Sequence, residues 1–284
     1  MSLKTCFHNK ELVLAPGVYD AFSALVASKF NYKALYVSGA GIAYTKLGRP
    51  DVGLVSMTEV AESIRLIADR VDTPLIVDAD NGYGNALNVQ RCIRLFETSG
   101  ANAIQLEDQS LPKRCGHLKG KSLISTQEMV GKIKAAVDTR KSDELLIIAR
   151  TDAISVEGYN QAIERASLYE EAGADLLFIE APQNLEQLNS IAERFSGQIP
   201  LLANMVEGGD TPILTAEELY DIGFSLVIFP GGVVRAISKT LEQYYASLSQ
   251  HGNNVPFAKN MNDFKELNLM LETDELLTLS QKYE

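Results

Sequence analysis

Leu75-Ile76-Val77-Asp78-Ala79-Asp80 runs from aliphatic residues straight into two carboxylates. Residues 75–79 carry no regular polar alternation, the mark of a strand covered on both faces. Seven further runs of the same kind stand at 12–15, 34–38, 103–107, 145–149, 176–180, 200–204 and 225–229. Between them lie amphipathic stretches such as Met57–Arg70 and 128–137, apolar at intervals of three and four residues. Ser56, Ser125 and Thr215, each followed by a glutamate (Glu59, Glu128, Glu218), are expected helix N-caps. Gly100, Gly173 and Gly223 are expected C-caps, each just ahead of a strand. Eight buried strands, most followed by a helix, predict an α/β fold: a closed parallel (β/α)8 barrel of the TIM type. The runner-up, an open doubly wound sheet, needs an edge strand of mixed polarity, and none is evident.

A barrel of this kind takes about 250 residues, so the 284 residues leave a barrel over 1–250 and a helical tail over 251–284. Helical character continues from Gly231 to about Ser249, a polar break covers 250–256, and a last helical pattern covers 264–271. The tail's apolar residues have no strand of their own to cover. They are expected to pack on a neighbouring subunit or on the barrel itself. A net charge of −11 with no basic stripe argues against nucleic acid and anionic membranes as partners. No apolar run is long enough to span a bilayer, and residues 1–10 hold no signal-type segment. Three scattered cysteines, Cys6, Cys92 and Cys115, suit a reducing cytoplasm.

Barrel enzymes carry their chemistry at the C-terminal ends of strands. Here those ends read Ser38, Asp78 with Asp80, Glu107 with Asp108, Arg150 with Asp152, Glu180 and Asn204. Asp108 and Asp152 read equally well as strand termini or caps. Positions two apart on a strand share a face, so Asp78 and Asp80 are expected side by side. Two such carboxylates repel, and a cation between them relieves the repulsion. Glu107 ends the next strand and can join directly or through water. No histidine is near in sequence, so the donors are hard oxygens that suit Mg²⁺, or Mn²⁺, over Zn²⁺. The alternative is that Asp80 caps a turn with Asn81-Gly82 and no metal binds.

After the fourth strand comes Lys113-Arg114-Cys115-Gly116-His117, then Lys119 and Lys121. A cysteine among cations has its thiolate favoured, which equips Cys115 as nucleophile or general acid. Gly116 and Gly120 give the loop freedom to close as a flap. The plain alternative is a solvated basic loop with an incidental cysteine. Cys92 sits at helical spacing with Val89, Ile93 and Phe96 and reads as core; Cys6 reads as inert; His8 and His251 have no site context. Val37-Ser38-Gly39-Ala40-Gly41 follows a strand and can cradle a carboxylate or simply turn; its glycine spacing is not a nucleotide fingerprint.

Together these segments resemble the isocitrate lyase and phosphoenolpyruvate mutase superfamily, over about residues 16–235. The resemblance rests on Tyr36-Val37-Ser38-Gly39, Arg49-Pro50-Asp51, the run from Val77 to Gly84, Ile104-Gln105-Leu106-Glu107-Asp108-Gln109, the Cys115 loop, Ala149-Arg150-Thr151-Asp152 and Ala203-Asn204-Met205. The lysine-x-cysteine-glycine-histidine loop looks like the lyase branch; the phosphonate branch generally lacks that cysteine. The resemblance implies a last helix exchanged between subunits of a homotetramer, a dimer of dimers. It implies Mg²⁺ on Asp78 and Asp80, with Asp51 and Glu107 holding its waters. It implies that Ser38, Gly39 and Ala40 contact the 2-oxoacid half of a small carboxylate substrate, with Gly116 in the flap above. Arg150 would pair with that half's carboxylate, Glu180 and Asn204 would line the pocket, and Arg235 would reach a second carboxylate. Cys115 would protonate a carbanion, with His117 and Glu180 orienting or recharging it, and Tyr36 is the candidate base.

Departures from the family narrow the substrate. Leu118-Lys119-Gly120-Lys121 follows His117 where methylisocitrate lyases usually have arginine, proline and asparagine, and Phe264 stands near where they offer an arginine. The stretch from Asn204 to Gly209 looks more like the 2,3-dimethylmalate lyase and petal-death group. The expected reaction is therefore metal-dependent carbon–carbon cleavage of a 2-hydroxydicarboxylate, of the 2-alkylmalate or 2-methylisocitrate type. The competing readings are an oxaloacetate hydrolase or decarboxylase, a phosphonopyruvate mutase or hydrolase, and a non-catalytic binding protein.

Overall fold

In a computed structural model, which describes residues 2–114, 116 and 120–284, eight parallel strands close into a barrel in chain order. They are β1 Val13–Val18, β2 Leu35–Val37, β3 Leu75–Asp78, β4 Ala103–Glu107, β5 Leu146–Thr151, β6 Leu176–Ile179, β7 Leu201–Asn204 and β8 Leu226–Phe229. All eight expected runs hold a strand, and β8 pairs back onto β1 from Val13↔Leu226 to Pro16↔Phe229. The expected caps also form. Ser56 and Thr215 make reciprocal capping boxes with Glu59 and Glu218, and Ser125 accepts from the Glu128 amide. Gly100, Gly173 and Gly223 take positive φ at helix ends, where a side chain would be strained.

Alternation along the strands divides the core in two. Val37, Val77, Ile104, Leu106, Ile147, Leu177 and Val227 face outward and pack against the surrounding helices with Phe96, Tyr169 and Phe195. Ile76, Ala103, Leu146, Ile148, Leu176, Phe178, Leu202 and Ile228 face inward and fill the barrel. Inward positions change character as the strands climb. Ile76 is followed two residues on by Asp78, Ile148 by Arg150, Phe178 by Glu180 and Leu202 by Asn204. The barrel is thus greasy below and charged at its C-terminal mouth.

The chain divides into two units, residues 1–234 and 235–284, and the division falls inside the helix Gly232–His251. The second unit also holds the short turn Val255–Asn260 and the helices Phe264–Met270 and Thr273–Gln281; the last lies beyond the expected tail pattern. Within it Tyr244 packs edge-on against Phe257 at 5.6 Å. Among the described residues no helix is long and apolar enough to cross a membrane.

The β1–β8 seam depends on a glycine. A Cβ on Gly17 would stand 2.1 Å from the Pro230 carbonyl oxygen and 2.6 Å from its carbon, both backbone atoms that cannot swing aside. Gly17→Ala is expected to destabilise the barrel by about 1–3 kcal/mol through overpacking. Thermal unfolding followed by circular dichroism checks this; an unshifted midpoint means the seam is wider than described.

Candidate active site

The turn after β3 brings Asp78 and Asp80 together by a route other than the one expected. Asp78 ends the strand, but Asp80 has left it and sits at φ +49° in the left-handed region. The two do not share a strand face. The turn folds Asp80 back so that its amide donates to Asp78 Oδ1 at 3.1 Å. Both carboxylates then approach Gly39, where a Cβ would lie 3.1 Å from Asp78 Oδ2 and 3.6 Å from Asp80 Oδ1. Gly39 opens a short helix, Gly39–Ile42, capped by Ser38, whose Oγ accepts from the Gly41 amide at 3.0 Å. The glycine stretch is therefore the start of a helix and not only a tight turn, with Ala40 in its first turn.

Asp51 and Asp80 share a counter-ion. The Lys113 ammonium lies 2.5 Å from Asp51 Oδ1 and 2.6 Å from Asp80 Oδ1, with the lysine side chain buried. Burial raises the Asp80 carboxyl to about 7, against the pull of Lys113. Glu107 is buried, and burial likewise drives its carboxyl well above the ordinary range, with Arg150 opposing. Glu107 Oε2 faces Arg150 Nη1 at 3.4 Å, while its Oε1 has no hydrogen-bond partner among the described residues. No three acidic, histidine or cysteine side chains among the described residues gather into a ligand cage. Carboxylates at this density, one oxygen orphaned, form a donor set that fits a hard divalent cation.

Arg150 is held inside the mouth. It forks onto Asp152 (Nε–Oδ2 2.9 Å, Nη2–Oδ1 3.1 Å) and stacks 5.0 Å over the Phe178 ring. Burial alone would discharge it; Asp152, Glu107 and Glu180 keep it firmly protonated. Asp152 is no cap, since it makes no side-chain bond to the turn it precedes. It is fully buried and takes Lys121 at 2.8 Å as well as Arg150, which hold its carboxyl down to about 2 against burial. Asp108 is also not a cap. It is buried and accepts from Thr151 Oγ1, Tyr169 Oη and the Asp152 amide, tying β4, β5 and the helix Tyr159–Glu171 together.

The flap meets this mouth. Lys121 also donates to the Gly116 carbonyl. A Cβ on Gly116 would fall 2.5 Å from Arg150 Nη2 and 2.8 Å from Glu180 Oε1, so only glycine allows that approach. Gln109 pins the start of the flap, donating to the Arg114 carbonyl and accepting from its amide. Lys113 and Lys121, read from sequence as loop cations, are thus buried anchors. Asn204 Nδ2 reaches both Glu180 oxygens at 3.2 Å, and its Oδ1 is buried without a partner among the described residues. Cys115 and His117 lie outside the described residues. Arg235 belongs to the second unit.

Tyr36, the candidate base, is tied to Asp78 through Gln105. Its hydroxyl donates to Gln105 Oε1 at 2.8 Å, and Gln105 Nε2 points to Asp78 Oδ1 at 3.4 Å. Burial pushes the phenol well above 10, and Asp78 adds to the shift. Its phenol is therefore protonated as it donates to Gln105. Gln105, the centre of this relay, was missed as a site residue. The available signal was its place two residues before Glu107 on the inward face of β4. Cys92 and Cys6 are buried, and neither enters the site.

Asp152→Asn is expected to lower the thermal midpoint by on the order of 10 °C, because removing one partner of a buried ion pair costs about 3–5 kcal/mol. The Asp152 carboxyl is depressed in the fold, so its stabilisation is present above about pH 4 and lost as pH falls towards 2. Midpoints measured across that range should converge for the two proteins; a constant gap, or none at pH 7, refutes the pairing.

Comparison with known proteins agrees with this geometry. The family described as phosphoenolpyruvate phosphomutase matches residues 3–249. A 2,3-dimethylmalate lyase from Eubacterium barkeri is 40% identical over 281 residues, covering 99% of this chain and 96% of that protein. A 2-methylisocitrate lyase from Aeropyrum pernix is 46% identical over 250 residues, covering 88% and 80%. Among solved structures, an oxaloacetate acetylhydrolase in complex with the inhibitor 3,3-difluorooxalacetate superposes with a TM-score of 0.92 at 33% identity, covering 99% of this chain and 96% of the other. The chain belongs to the phosphoenolpyruvate mutase/isocitrate lyase superfamily, in its carbon–carbon lyase branch.

Proposed function

We propose that this lyase cleaves the C2–C3 bond of a small 2-hydroxydicarboxylate of the 2-alkylmalate type, or of the related tricarboxylate 2-methylisocitrate, into a 2-oxoacid such as pyruvate and a carboxylate, with Mg²⁺ as cofactor and Mn²⁺ as a substitute. The observation that carries this reading is the convergence of Asp78 and Asp80 on Gly39, in the same barrel mouth where Gly116 approaches Arg150 and Glu180. A bound divalent cation there supplies Lewis acidity to a substrate hydroxyl and its neighbouring carboxylate. Asp78 and Asp80 would hold it, and Asp51 and Glu107 would hold its waters. Ser38, Gly39 and Ala40 would cradle the 2-oxoacid half, and Arg150 would face its carboxylate. Glu180 and Asn204 would line the remaining wall, and Arg235 would meet the second carboxylate.

In this reaction a base, for which Tyr36 as its phenolate is the candidate, takes the 2-hydroxyl proton and C2–O becomes a carbonyl. The C2–C3 pair moves onto C3 as an enolised carboxylate, and C3 then takes a proton. Arg150, held charged by three carboxylates, suits stabilisation of that negative charge. Cys115 would deliver the proton to C3, leaving a thiolate that His117 and Glu180 orient and recharge. These roles rest on the sequence resemblance. Tyr36, a donor to Gln105, would steady Asp78. Closure of the flap against Arg150 and Glu180 would keep water from the carbanion. An exchanged last helix and a dimer of dimers in the cytoplasm complete the reading, supported by the exposed Phe264 and Leu269 of the second unit.

The likeness to the oxaloacetate acetylhydrolase favours a second reading, hydrolysis of oxaloacetate at the same mouth. Incubation with Mg²⁺ and a panel of 2-alkylmalates, 2-methylisocitrate, oxaloacetate and phosphonopyruvate, following 2-oxoacid release or loss, separates the two. Release from a 2-alkylmalate, silenced by EDTA and restored by Mg²⁺, is expected; turnover that survives exhaustive chelation refutes the metal assignment. Cys115→Ser is expected to cut cleavage by at least about 100-fold, the low end of general acid catalysis, while calorimetry still detects substrate binding. Undiminished cleavage removes Cys115 from the mechanism.

A further inference from the structure

Lys132 is a buried lysine that the chemistry above does not use. It lies on the helix Thr126–Thr139, on the core-facing side with Met129, Ile133 and Ala136, and its side chain is 2% exposed. Among the described residues its ammonium makes one close bond, to the Asn81 carbonyl at 3.0 Å. The nearest carboxylate, on the half-exposed Glu128, is 3.9 Å away. A charge taken from water with so little in return lowers stability, so packing does not account for a lysine here; methionine would fill much of the same space.

What the ammonium does is hold the turn that carries Asp80. That turn is sterically costly. Asp80 and Tyr83 have φ of +49° and +61°, and Gly82 and Gly84 are also left-handed. Such a backbone persists only where its surroundings over-determine it. Here the Glu107 amide donates to the Asp80 carbonyl at 2.8 Å, Asn81 Nδ2 to the Gln109 carbonyl at 3.3 Å, and the Tyr83 amide to Asn81 Oδ1 at 3.1 Å. Lys132 closes the set from outside the barrel wall, one residue from Asp80.

We propose that Lys132 is a positioning residue: its ammonium on the Asn81 carbonyl fixes the left-handed turn and so keeps the Asp80 carboxylate beside Asp78. The consequence for metal affinity rests on the Mg²⁺ reading above; the consequence for the turn does not. Groups that orient metal-binding side chains typically change metal affinity by about 10–100-fold when removed.

The test is Lys132→Met in the full-length protein. Peptide-resolved hydrogen exchange should quicken by at least about tenfold in the segment 79–84 and stay unchanged along 126–139, with the thermal midpoint unchanged or raised. In calorimetric titration with MgCl₂ alone, the apparent Kd should rise by about tenfold or more. At saturating Mg²⁺, kcat should recover further than it does at limiting Mg²⁺. Lys132→Gln, which keeps an N–H donor, should regain part of the protection at 79–84. Wild-type exchange in that segment overturns the proposal, as does equal loss of protection throughout the barrel, the signature of a merely structural lysine. If the unaltered protein binds no Mg²⁺, the metal reading fails while the exchange at 79–84 still decides the role of Lys132.

Discussion

Negative charge confined in a small barrel mouth is what the upper half of this molecule has to accommodate. Asp51, Asp78, Asp80, Glu107, Asp152 and Glu180 are placed within a few strand ends of one another, nearly all out of water. Carboxylates so placed have three ways out: take up protons, find cations, or hold a ligand that brings positive charge. The protein uses the second unevenly. Asp152 is fully paired, with Arg150 and Lys121 both on it. Asp51 and Asp80 share the one ammonium of Lys113. Glu107 keeps an oxygen with no partner among the described residues and is pushed towards its protonated form. Charge is thus balanced on the Arg150 side of the mouth and under-compensated on the Glu107 side.

The same pairs fasten the flap. Lys113 precedes Cys115 and reaches the acid cluster, while Lys121 follows it and reaches Asp152 and the Gly116 carbonyl. Both anchors end on carboxylates that also shape the site. The placement of Lys113 and Lys121 and charge balance in the mouth are therefore one problem: a change of charge on Asp80 or Asp152 acts on both lysines. Behind Arg150, Asp108 carries the constraint further, through Thr151 and Tyr169 to the helix Tyr159–Glu171.

The barrel was legible from sequence because its cause is local. A strand buried on both faces must be apolar at successive residues, and each helix between must be amphipathic, so eight runs and their capping residues stood out without any knowledge of contacts. Ser38, Asp78, Glu107, Arg150, Glu180 and Asn204 were legible for a related reason: polar residues at the top of such runs have nowhere to point but the barrel mouth. Asp80 was found by the wrong argument, since strand alternation does not reach it and a left-handed turn returns it to Asp78.

Sequence by itself therefore determined the fold and the side chains gathered at one end of the barrel, because periodicity and chain order carry that information, and its motifs carried the family resemblance. Tertiary structure alone decided which charges pair. Asp152 read as a cap and proved the partner of Arg150 and Lys121; Tyr36 read as a base and donates to Gln105; Lys132 drew no notice and donates to the Asn81 carbonyl. Most of these pairings join residues tens of positions apart, Arg150 with Asp152 excepted, and their energies depend on burial and on distances of a few ångströms, which no local pattern encodes.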